Sequence, residues 1–70
     1  MNLTRALEEQ EYIIKAIETD DDEFRAFLFS LGCYAGEKIT VINHIKGGCV
    51  VSIKDGRYTI DNDLAEAIEI

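Results

Sequence analysis

Seventy residues and 7.9 kDa allow one small domain and exclude a multidomain enzyme. The chain is 47% hydrophobic and 30% charged, a balance that predicts folding rather than disorder, and no apolar run is long enough to span a bilayer. With 7 Lys+Arg against 14 Asp+Glu the net charge is −7, which opposes binding to nucleic acid and, without a basic-then-apolar leader, points to the cytoplasm.

Charge is unevenly spread: residues 1–23 sum to −6, residues 24–58 to +3 and residues 59–70 to −4. The first segment fits two patterns. Leu3, Leu7, Ile14 and Ile17 suit an amphipathic helix, whereas Tyr12-Ile13-Ile14 suits a strand. The acidic run Asp20–Glu23 starts a helix, with Asp20 as N-cap, Glu23 three residues on, and carboxylates placed at the positive end of the helix dipole. Phe24, Phe27, Leu28 and Leu31 then form one apolar stripe, and Gly32 stands where a left-handed C-terminal cap belongs.

After Gly36 the period changes to two. Lys38–Ile45 reads as a strand ended by Gly47-Gly48, and Cys49–Ile53 as a second. Asp55-Gly56 is a hairpin turn before a third strand, Tyr58–Ile60. Asp61-Asn62-Asp63 begins a helical turn through Leu64-Ala65, and Ile68-Glu69-Ile70 alternates like a closing strand. Tight turns between four or five short strands predict a mainly β, SH3-like barrel with a short helical insertion, spanning residues 1–70 as a single domain.

No nucleophile motif, phosphate loop or zinc-protease motif is present, so the chain is not read as an enzyme. Cys33, His44 and Cys49 are the soft ligands available for a metal ion such as Fe²⁺ or Zn²⁺, although their spacing matches no metal motif. Free thiols fit a reducing compartment. Phe29 lies about 140° around the helix from Phe24. It is therefore either covered by its own domain or an anchor for another protein, with Tyr34 beside it.

Phe24-Arg25, Leu28-Phe29-Ser30-Leu31-Gly32-Cys33-Tyr34-Ala35-Gly36 and the ending Ala65–Ile70 resemble the FeoA family of small ferrous iron transport proteins. Val41-Ile42, Gly47-Gly48, Gly56 and Ile60 extend the resemblance over nearly the whole chain. Departures are Glu8-Glu9 for the family's Pro-Gly, Ala35 for a proline, Gly47-Gly48-Cys49 for Gly-Asp-Pro, and Ile60-Asp61 for Leu-Arg. The family also tends to be polar at Phe27 and aliphatic at Phe29. The resemblance implies an SH3-like barrel in which Tyr12–Ile17 is strand. It further implies a cytoplasmic accessory protein that binds FeoB, the membrane iron transporter with a guanine-nucleotide-binding domain. Arg25, Phe29, Leu31, Gly32, Cys33, Tyr34 and Gly36 are the residues expected to make that partner surface. Two other roles compete. Similar domains end iron- and manganese-dependent repressors, which suggests a metal-responsive regulatory module, and exposed strand edges could pair in a homodimer.

Overall fold

The computed structural model describes residues 1–70. A 3-10 turn, Leu3–Arg5, opens the chain, with the Asn2 side chain accepting from Thr4 N. Strands β1 (Glu11–Ile13) and β2 (Ala16–Ile17) follow, then helix α1 (Asp22–Ser30). Next come β3 (Lys38–Ile45), β4 (Gly48–Ile53), β5 (Gly56–Asp61), the short helix α2 (Asn62–Ala67) and β6 (Ile68–Glu69).

The expected meander is present as β3-β4-β5, and β1 joins it to make an antiparallel sheet in the order β1-β3-β4-β5. Barrel closure is not: β2 and β6 form a separate two-stranded sheet, so six strands lie in two sheets with open edges. The reason lies at Ile14-Lys15. Ile14 N–H donates to Glu37 O at 2.9 Å and Lys15 N–H to Glu69 O at 2.7 Å, so the chain changes partners there and leaves one sheet for the other. The ambiguous first segment is thus a strand broken in two, as the resemblance implies, and not a helix.

Period-two patterning builds the core. Cys49, Val51 and Ile53 of β4 and Ile39 and Val41 of β3 face inward, where Leu3, Ile14, Leu28 and Ile68 meet them. A register shift between Val41 and Asn43 ends the alternation, and Asn43 to Ile45 are exposed. In Gly48 the fold has a position that only glycine satisfies, because a Cβ there would collide with the backbone carbonyl of Ile60.

Three local expectations are corrected. The N-cap of α1 is Asp21, not Asp20: its carboxylate accepts from Glu23 N at 2.9 Å and Phe24 N at 3.2 Å. The β4-β5 turn is Lys54-Asp55, not Asp55-Gly56, with Lys54 held at φ 53° and Gly56 already in β5. The apolar stripe of α1 is narrower than its spacing suggests. Leu28 is fully buried and Phe24 and Leu31 flank it, while Phe27 is 49% exposed, since the helix rests on the rim of the sheet through one line of side chains.

Candidate functional site

The exposed aromatic surface begins at the end of α1. Gly32, at φ 90°, takes the left-handed cap position that the sequence reserves for it. Its N–H donates to Phe29 O and that of Cys33 to Leu28 O, both at 2.9 Å, the paired bonds of a Schellman ending. The chain then reverses through Tyr34, and Gly36, at φ 92°, donates to Ile14 O at 2.8 Å. This reversal sets Tyr34 against the last turn of the helix. The rings of Phe29 and Tyr34 are 5.1 Å apart and tilted by 35°.

Phe29 is not covered by its own domain; it is 64% exposed, the second most exposed large apolar side chain after Leu7. Both Phe27 and Phe29 face outward, on opposite flanks of Leu28. Lys54, from the β4-β5 turn, completes the cluster: its Nζ lies 5.3 Å from the Tyr34 ring centre and 3.4 Å from Glu37 Oε1. The Tyr34 hydroxyl, and then the Glu37 carboxylate, hold the Lys54 ammonium above the usual lysine range. A groove of about 610 Å³ runs from Phe29 and Leu31 past Tyr34 to Lys54, Gly56 and Tyr58. On the far side of Phe29 a second hollow, about 320 Å³, lies between Arg25, Cys33 and Ile17.

Of the seven residues expected to form a partner surface, Phe29, Leu31, Gly32 and Tyr34 line the larger groove, and Arg25, Cys33, Phe29 and Tyr34 the smaller. Gly36 shapes the loop between them without lining either. Arg25 is an exposed residue whose guanidinium is nevertheless engaged, donating to Ile17 O at 3.1 Å and Thr19 O at 2.6 Å. It thereby ties α1 to the loop after β2. Cys33 contributes a wall but is only 1% exposed. Lys54 and Tyr58 are groove residues that the sequence did not single out, because nothing local announces that a turn of the meander will meet the helix end.

The three soft ligands are arranged differently. His44 and Cys49 face each other across the β3-β4 ladder, but the His44 ring turns to the N-terminal segment, with Nε2 2.7 Å from Ala6 O. Its backbone N–H donates to Glu8 Oε2 at 2.7 Å. Burial pushes the Cys33 thiol up to about 12 and raises that of Cys49, which keeps both protonated at neutral pH and weak as nucleophiles. No group of three His, Cys, Asp or Glu side chains stands close enough to hold a metal ion. No helix is long and apolar enough to cross a membrane.

Comparison with known proteins gives a consistent family. The FeoA domain family matches over residues 1–70. Among solved structures, the solution structure of iron(II) transport protein A from Clostridium thermocellum is 25% identical with a TM-score of 0.89, covering 99% of this chain and 43% of that one. A crystal structure of an iron uptake regulatory protein, FeoA, is 22% identical with a TM-score of 0.85, covering 97% and 91%. Stenotrophomonas maltophilia FeoA complexed with zinc, described as a prokaryotic SH3 domain protein, is similar at 15% identity and a TM-score of 0.84, covering 97% and 86%. No curated protein sequence matches.

Proposed function

The chain belongs to the FeoA family, associated with ferrous iron transport, and on that premise we propose that it is a cytoplasmic accessory protein that binds the cytoplasmic portion of the FeoB transporter and modulates it. It does so by contact, without chemistry of its own. The observation that carries this reading is Phe29, a 64% exposed aromatic stacked on Tyr34 at the mouth of two grooves. Water gains nothing from such a ring, whereas a partner that buries it gains the transfer free energy of a large apolar side chain. The Phe29–Tyr34 contact and the Schellman ending keep the helix-end residues together as one local unit before binding, which lowers the ordering cost of association.

The test is a titration of the isotope-labelled chain with the transporter's soluble nucleotide-binding domain, and separately with Fe²⁺ under anaerobic reducing conditions, following backbone amide shifts. Saturable shifts clustered on residues 25–36 and 53–58 with the protein, and none with the ion, are expected. Phe29→Glu and Tyr34→Ala should each weaken binding about tenfold or more while the fold is kept. Shifts only at Cys33, His44 and Cys49 with the ion, and silence with the protein, would replace this reading by that of a metal-responsive regulatory module.

A further inference from the structure

Strand β5 is an edge strand: it pairs with β4 and with nothing on its other side. Ile53 and Gly56 close a two-residue turn, so they are a hydrogen-bonded pair, and the alternation of an antiparallel ladder then gives the same standing to Tyr58 and Ile60. Arg57 and Thr59 therefore direct their N–H and C=O groups outward. No side chain caps them. Edges of this kind are commonly blocked by a helix or a loop, and α1 runs beside this one without closing it. At one end the groove between them is lined by Ser30 and Leu31 against Gly56 and Tyr58. Towards the other, Phe27 stands opposite Thr59 and Ile60 across a hollow of about 360 Å³.

A strand edge on one wall and a partly apolar helix face on the other suit one kind of occupant. We infer that the edge of β5, in the groove it shares with α1, takes up an extended segment of the partner as an additional strand. This rests on the reading of the chain as a binding module and states how it binds. Side chains of an added strand would alternate, apolar ones turning in beside Phe27, Leu31, Tyr58 and Ile60 and polar ones turning out beside Arg57 and Thr59. Charge narrows the choice further. The two ion pairs of the molecule, Met1 with Glu69 and Lys54 with Glu37, leave the exposed Arg57 without a carboxylate, so the outward residue next to it should be acidic.

The probe is a capped peptide of about ten residues alternating valine and threonine with one central glutamate. Saturable binding that slows hydrogen exchange at the Arg57 and Thr59 amides is the expected result. Thr59→Pro removes an outward N–H while leaving the β4-β5 bonds in place, and should weaken the peptide about tenfold. Unchanged exchange at Arg57 and Thr59 in the wild-type chain, or unchanged affinity in a folded Thr59→Pro variant, overturns the inference. So does a mass near twice 7.9 kDa with both amides already protected, which would give the edge to a second copy. The same variant is then titrated with the transporter's nucleotide-binding domain. Equal binding by wild type and variant leaves the transporter reading standing and removes strand addition. Peptide binding without domain binding does the reverse.

Discussion

Cys33 is a thiol in an apolar site, and its titration sets a pH limit on the fold. The folded value is about 12 against 9.0 for the free group, so the unfolded chain releases the proton first. Stability from this residue is complete below pH 9 and is lost as pH rises towards 12, with a slope of up to about 1.4 kcal/mol per pH unit. Urea unfolding of wild type and Cys33→Ala across this range should show the wild-type advantage shrinking with pH. A constant difference would mean that the thiol is hydrated. Single residues also show what the sequence conceals. That Phe29 lies off the stripe was readable from helical geometry, but the exposure of Phe27 depends on how far α1 overhangs the sheet, which no local pattern encodes. Glu9 offers the opposite lesson: it stands at φ 67°, a left-handed conformation that favours glycine and that nothing in its own residue type announces.

At the scale of elements, α1 depends on its cap. Asp21→Ala should lower stability by about 1 kcal/mol, measured by denaturant unfolding, because two N–H groups lose their acceptor. Asp20→Ala, one residue outside the cap, should change little. The meander was legible because β-branched alternation and paired turn residues are local signals. So was α2, begun by Asp61, whose carboxylate accepts from Leu64 N at 2.9 Å. β1 and β2 were not, since strands of three and two residues owe their form to partners far along the chain, at Lys38–Thr40 and Ile68–Glu69. The groove was half legible for the same reason. Its helix-end residues lie together in sequence, while Lys54 and Tyr58 arrive through the sheet.

Across the whole molecule, the two sheets share one core but the helix beside them does not share it equally. Closure into a barrel could not be decided from pattern alone, because it depends on which strand each half of the first segment chooses. The consequence lies in α1, whose one buried side chain is Leu28 and whose side-chain tether is the pair of bonds from Arg25. Such an element can open as a unit at a free energy well below that of global unfolding. Native-state exchange should find α1 amides released at much lower denaturant than those of β4, which is bonded on both sides. Equal release would mean a single cooperative unit. A separate opening would give the groove beside β5 an adjustable width, letting incoming side chains of different bulk be admitted by a displaced helix while the sheet stays intact.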